Sequence, residues 1–208
     1  MFVQATRRFS RRASFNIHYT FSKSIDESTD IQFLPQDSLN TRRDRGLSTF
    51  DQRHRLVGSG VVELPGTGRP GSGFWDRLIG GFTLAPIVTV ASGHPFNVVT
   101  GLDFNTNRPS GAGRNIGLGP DFFATDVRLS RTFAVSPTHD SMRLELLCEA
   151  FNVTNHVNFK RLNNTVGNIT VNQLPHPLTG VLGPPQDPLS FVSAYDGRQI
   201  QFGLKFRW

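Results

Sequence analysis

The chain has 208 residues, with 22 Lys plus Arg against 16 Asp plus Glu, which is length for one sizeable domain and a basic balance that suits an anionic partner. Cys148 is the only cysteine, so an internal disulfide and a thiolate metal cluster are both excluded. The longest charge-free apolar segment, residues 78–93, is shorter than the roughly 20 residues of a membrane-spanning helix, and Pro86 interrupts it, which excludes a transmembrane helix. After Met1, FVQATRRFSRR is positively charged but lacks the apolar stretch of a secretory signal, so no export address is expected in the chain as written.

Period-2 alternation recurs along the chain. Residues 2–9 form a first candidate strand, followed after SRR by SFNIHYTFSKS, where Phe15, Ile17, Tyr19 and Phe21 face one way and Asn16, His18, Thr20 and Ser22 the other. Residues 51–64 place Leu56, Val62 and Leu64 on one side with Gly58 and Gly60, and residues 80–92 make a fourth strand. In TDVRLSRTF, Thr125, Val127, Leu129 and Phe133 share a side that only Arg131 breaks. In SMRLELLCEAF, Met142, Leu144, Leu146, Cys148 and Ala150 alternate with Arg143, Glu145, Leu147, Glu149 and Phe151. The terminal QIQFGLKFRW sets Ile200, Phe202, Leu204, Phe206 and Trp208 against Gln199, Gln201, Lys205 and Arg207. No segment carries a helical period, although GFWDRLIGG (73–81) allows one short turn.

The connections alternate as well. SRR, GTGRPGSGFWDRL and SPTHD are short, whereas residues 25–49, 93–120 and 155–195 are long. Long structureless loops count against a compact soluble domain. They are expected of a transmembrane β-barrel, whose turns are short on the periplasmic side and long on the outer side. The last residue then lies on the short-turn side.

TRRFSRRASFNIHYTFSKSID, STFDQRHRLVGSGVVELP, LIGGFTLAPIVTVASGHPFNV, DVRLSRTF, RLELLCEAFNVTNHVNF and RQIQFGLKFRW together resemble the C-terminal part of a TonB-dependent outer-membrane receptor of the Oar-like kind, which bears a carboxypeptidase-regulatory domain. The resemblance implies that Phe202, Leu204, Phe206 and Trp208 form the terminal signal read by the barrel assembly machinery, with the alternating face toward lipid and the final aromatic in the interfacial girdle. Members of this kind also carry a signal peptide, a regulatory domain, a TonB-contacting segment, a plug and about 22 strands. None of the first four is found here. Seven antiparallel strands cannot close a conventional barrel, because the first and last run parallel. A C-terminal fragment is therefore expected, with residues 1–208 as one segment of a receptor-like barrel, without plug or signal peptide.

Other chemistries find little support. GTGRPG (Gly66–Gly71) matches the spacing of a dinucleotide loop, but SGFWDRL follows where the motif needs a helix, so a turn is expected. The six histidines, among them His54, His94, His139, His156 and His176, are scattered singly, with no metal-ligand spacing. No G-x-S-x-G elbow accompanies the serines. Asn152, Asn163 and Asn168 begin N-x-[ST] triplets that read as chance loop sequence. RRFSRR and TRRDRG, the latter with Arg42, Arg43 and Arg45 near Asp44 and Asp51, come with no nucleic-acid motif. Arg128, Arg143 and Glu145 fall on polar strand sides, where a water-filled lumen tolerates charge.

The expectation is thus an all-β chain: an antiparallel up-and-down meander forming part of a transmembrane β-barrel in a Gram-negative outer membrane. Its parent would take up a bulky ligand with energy coupled through TonB, which it would contact only through the missing N-terminal region. Expected partners are outer-membrane lipid, lipopolysaccharide and the assembly machinery, with no nucleic acid, no cofactor, no metal and no enzymatic activity. The competing architecture is a soluble β-sandwich for binding or adhesion, distinguished by whether the alternating faces suit lipid all round the sheet.

Overall fold

A computed structural model describes residues 1–10, 12–28, 35–66, 73–75, 80–102, 108–135 and 142–208. In chain order the strands are β1 (Phe2–Ser10), β2 (Ala13–Phe21), the short β3 (Ile25–Asp26) and β4 (Gly46–Leu47), β5 (His54–Glu63), β6 (Phe82–Ala91), the short β7 (Pro95–Phe96) and β8 (Gly117–Leu118), β9 (Phe122–Ala134), β10 (Arg143–Phe151), β11 (Phe159–Leu162), β12 (Phe191–Ala194) and β13 (Gln199–Arg207). No helix among the described residues is long and apolar enough to cross a membrane, which says nothing of spans made by strands. Most of GTGRPG, and residues 76–79 within 73–81, lie outside the described residues.

Seven long strands form one sheet in the order β1-β2-β5-β6-β9-β10-β13, every neighbouring pair antiparallel. Each long strand pairs with the long strands before and after it in the chain, as the turn pattern predicts, and the described sheet is open, with β1 and β13 at its edges. Because seven strands alternate in direction, β1 and β13 both run from the long-loop end to the short-turn end.

The register builds two continuous faces. Ile17 sits between Ala5 and Gly58, Gly58 faces Val88, and Val88 faces Thr125. Farther along, Leu129 faces Leu84 and Cys148, and Cys148 faces Phe202. Since side chains alternate with period 2, these pairings give all seven strands one shared, predominantly apolar side, while Val57, Ile87, Phe122, Leu147 and Phe151 fall on the other. The other side carries His18, Asn16, Ser59, Asp126, Arg128, Glu145, Glu149, Gln201 and Lys205.

The apolar side is the uncovered one. Phe15 and Ile17 are about 40% exposed, and Phe202 82%. Among the described side chains of the seven strands, Ala91 alone is buried, and it belongs to the polar side. A sandwich would need a second layer over the apolar face; among the described residues no second sheet covers it, so the sandwich alternative is not favoured. Lipid does the covering in a barrel, and a polar side that would be the wrong one for a core becomes the lumen wall.

Aromatic residues mark both rims of the apolar side. Near the long loops lie Tyr19, Phe21 and His54, with a Tyr19–His54 hydrogen bond of 2.8 Å, and Phe123 against His156. Near the short turns lie Phe82 and Phe133, and Phe206 stacks on Trp208 at 5.9 Å. From Phe123 to Phe133 the strand advances ten residues, which at about 3.3 Å each and a tilt of about 40° rises about 25 Å, the height of the apolar band on an outer-membrane barrel.

Contrary to the expectation of structureless loops, the second and third long connections hold the hydrophobic core. Val98, Val166, Leu174, Leu178 and Leu189 are buried there, with Phe96, Leu162, Ile169 and Val171 packed against them. Each connection folds back on itself through one small antiparallel pair, β3 with β4, β7 with β8, and β11 with β12. Parallel bridges Val99–Thr165, Ser110–Thr170 and Leu118–Thr179 join the second connection to the third.

Candidate functional site

The loops are locked by polar groups that the sequence spacing does not reveal. Asp44, at the end of the short turn Thr41–Asp44, is buried and pairs with Arg108, and Arg114 pairs with Asp26. Both ion pairs join the first long connection to the second. Burial pushes the Arg114 guanidinium below its ordinary pKa by desolvation, though an arginine remains a cation at neutral pH. Asn115 Nδ2 donates to the Leu47 carbonyl at 2.6 Å, and Arg108 Nε to Gln36 Oε1 at 3.0 Å. Gly46 permits this close approach: a Cβ there would lie 2.6 Å from the Arg114 carbonyl oxygen.

The third connection is tied to the strands as well as to the second. Asn158 donates through Nδ2 to the Phe123 carbonyl and accepts from the Phe123 N–H, both at 2.8 Å. It thereby extends the ladder of β9 beyond the end of β10. Asn152 is buried with φ 47°; its N–H donates to Asp126 Oδ1 and its Nδ2 to the His156 carbonyl, each at 2.8 Å. Its sequon position is thus occupied by a structural turn. Asn163 Nδ2 similarly donates to the Gln186 carbonyl at 3.0 Å.

Where the loop assembly meets the polar side of the sheet, a recess of about 920 Å³ opens. Arg55, Phe122, Asp126, Phe151, Lys160 and Tyr195 are among its lining residues. Phe122 meets Tyr195 edge-on at 5.6 Å, and Lys160 Nζ lies 5.5 Å from the Tyr195 ring centre. Convergent cations, carboxylates and aromatic faces in a space of this size suit a ligand of appreciable bulk. A smaller cavity of about 260 Å³ lies within the loops, lined in part by Asp44, Arg108, Asn115 and Phe96.

The lumen-side charges named from the sequence come together in part. Arg128 lies 3.8 Å from Glu145 and 3.7 Å from Glu149, and Glu149 accepts from Gln201 at 2.5 Å. Arg143 is on the same side, opposite Arg207 and Ala134. With the Arg128 side chain half exposed, such contacts contribute at most about 1 kcal/mol each. Their value is positional, since they order a hydrated wall.

The terminal residues stand on the apolar side of the edge strand β13, with Phe202 opposite Cys148, Leu204 opposite Leu146 and Phe206 opposite Leu144. Trp208 follows the strand and is 86% exposed. His139 lies outside the described residues, and the described histidines do not converge: His54 bonds Tyr19, His94 donates from Nδ1 to the Asp51 carbonyl at 3.1 Å, and His156 packs on Phe123. Among the described residues there is no group of three or more His, Cys, Asp or Glu placed to hold a metal ion. Arg43 reaches Asp37 at 3.8 Å on the loop surface. Lys160, Tyr195 and Phe122 escaped the sequence reading because they come from different elements with no spacing that links them.

Comparison with known families shows that a model described as an outer membrane beta barrel domain matches residues 1–111 and 108–201. Comparisons with curated proteins and with solved structures returned no match.

Proposed function

Since this chain belongs to the outer membrane beta barrel domain family, we propose that it is the C-terminal barrel segment of a TonB-dependent, Oar-like receptor of a Gram-negative outer membrane, and that the parent takes up a bulky ligand. Its contribution is non-enzymatic. It provides barrel wall, lumen surface and part of the outer ligand-binding loops, while coupling to TonB belongs to a region outside this segment. Its partners are outer-membrane lipid, lipopolysaccharide and the assembly machinery, which reads Phe202, Leu204, Phe206 and Trp208 as the terminal signal. It acts without cofactor, metal or nucleic acid.

The observation that carries this proposal is the recess beside Arg55, Lys160 and Tyr195, at the end of the sheet where the three long loops are gathered and held by the Asp44–Arg108 and Asp26–Arg114 pairs. A simple diffusion pore needs no packed loop core. Loops rigidified by buried ion pairs and apolar packing present a preformed surface, and preformed surfaces bind with less ordering cost.

The test uses cells that produce the protein in its native setting. Residues 152–198 are replaced by a short turn, and accumulation of labelled candidate ligands, such as metal chelates, oligopeptides and oligosaccharides, is measured with and without the proton-motive force. Loss of force-dependent accumulation of one class, with the barrel still in the outer membrane, supports uptake. Accumulation of all classes unchanged by both the loop deletion and the loss of the force refutes it.

A further inference from the structure

We infer that the recess where the loop assembly meets the polar side of the sheet binds an acidic oligosaccharide, a short chain of sugar rings that carry carboxylates. This rests on the reading above of the recess as the ligand site of an uptake receptor, and it names the substrate class. The sheet supplies one part of the lining. Arg55, Ala91 and Phe122 lie side by side across β5, β6 and β9, and Thr89 pairs with Ala124 two residues farther along on the same side. Small side chains thus lie between an arginine and an aromatic ring. The third connection adds Lys160, Tyr195 and Asp196 to the lining.

Three features point to this ligand. The first is charge. Arg55, Lys160 and Arg161 line the recess, and among the described residues none of them pairs with a carboxylate. Arg55 Nη1 donates to Gln52 Oε1 at 3.4 Å, and Lys160 meets the Tyr195 ring. An anionic group on the ligand supplies their counter-charge. The second is aromatic surface on a side that otherwise faces water. Tyr195 is 52% exposed and Phe151 41%. Phe122 meets Tyr195 edge-on, which leaves ring faces open, and the C–H groups on the flat side of a sugar ring are drawn to the negative face of an aromatic one. The third is the presence of acceptors beside the cations. Asp126 Oδ1 accepts from the Asn152 N–H, which leaves Oδ2, and Asp196 has no described donor. Two carboxylates repel a densely charged anion such as a polyphosphate, yet they accept hydrogen bonds from hydroxyls. A wholly apolar ligand would strip charges of both signs of their water. Hydroxyls, flat C–H faces and a few carboxylates occur together in an acidic sugar, and about 920 Å³ lies at the upper end of small-ligand pockets, with room for linked rings.

The experiment folds the full 208-residue chain in a neutral polyoxyethylene detergent, which carries no sugar, and checks folding by circular dichroism. Tetragalacturonate, its methyl ester and tetraglutamate are titrated in by calorimetry. The ester keeps the rings and most hydroxyls but removes the charge, and the peptide keeps charge without rings. The wild type is expected to bind tetragalacturonate, and the ester about tenfold more weakly or worse. Arg55→Gln and Lys160→Gln should each raise Kd about tenfold, the scale of one hydrogen bond to a charged group. Lys23→Gln makes the same charge change outside the recess and should leave Kd unchanged. Tyr195→Ala should weaken binding and Tyr195→Phe preserve it, since the ring face is what the sugar meets. Equal affinity for the ester or for tetraglutamate overturns the assignment, as do equal losses in Lys23→Gln and Lys160→Gln, or no binding by the folded wild type. If Tyr195→Ala does not fold, saturation transfer from aromatic protons to sugar C–H protons in the wild type decides: its absence overturns the stacked site. Accumulation of labelled tetragalacturonate by cells is measured separately. Binding without force-dependent accumulation refutes coupled uptake and leaves the site, whereas force-dependent accumulation of another class without binding of tetragalacturonate removes only the site.

Discussion

Ile17 and His18 are neighbours at the middle of β2 that differ chiefly in the side they face. Ile17 pairs with Ala5 and Gly58 on the apolar side, while His18 pairs with Gln4 and Val57 and stacks on Phe2 at 5.7 Å. Ile17 is four residues from either end of the strand, so it sits near the bilayer midplane. There an arginine on the lipid side costs about 2–4 kcal/mol, which shifts the folding equilibrium by roughly thirty- to several-hundred-fold. His18→Arg loses an aromatic contact of about 0.5–1 kcal/mol and places its charge toward water. Urea titration of both variants in thin phosphatidylcholine vesicles, with the folded fraction read from gel mobility, measures the difference directly. Equal destabilisation of the two would refute the facing assignment. So would an Ile17→Arg variant within about 0.5 kcal/mol of wild type, the behaviour of an ordinary surface position in water.

Deleting Trp208 is expected to leave stability in vesicles nearly unchanged, because it lies beyond β13 at the interface, but to slow assembly in cells; normal assembly kinetics would contradict its role as part of the signal. Leu174→Ala, within the loop core, should cost about 2–4 kcal/mol of loop stability and raise hydrogen exchange in residues 92–121 and 152–198 while leaving the strand amides protected; a uniform rise would show that loops and sheet unfold as one. Asp44→Asn leaves the buried Arg108 charge without its counter-ion and should destabilise the loops by about 3–5 kcal/mol, and Asp44→Asn combined with Arg108→Met should recover much of that loss. Chemical denaturation of the pair tests this, and additive losses in the double variant would count against their coupling. Gly46→Val should disrupt the same junction, since its Cβ meets the Arg114 carbonyl; an unchanged limited-proteolysis pattern of the loops would refute that close approach.

Much of the sheet was legible before any coordinates, for a local reason. Period-2 alternation specifies a strand, and a one-residue slip would turn every side chain to the wrong solvent, so register follows wherever the two sides differ strongly. In β2, Phe15, Ile17, Tyr19 and Phe21 against Asn16, His18 and Thr20 determine that a strand exists and which residues share a side. They do not say which side faces the protein interior. The alternation of short and long connections supplied the membrane alternative, and the uncovered apolar side together with the family match decides it.

The candidate site was legible only at its edges. Sequence order could place Arg128 and Glu145 on one strand side, because both lie within regular alternation, but Glu149 and Gln201 join them only through the register of three strands. Sequence by itself determined the strands, their order in a meander and the composition of each side, since those depend on residues a few positions apart. Tertiary structure alone decided that the core lies in the loops, that Asp44 meets Arg108 and Asp26 meets Arg114, and that Lys160, Tyr195 and Phe122 share a recess. Loops have no period to announce which side chains turn inward. Their contacts follow from how the sheet brings three distant segments to one end, and from the need of every buried charge for a partner.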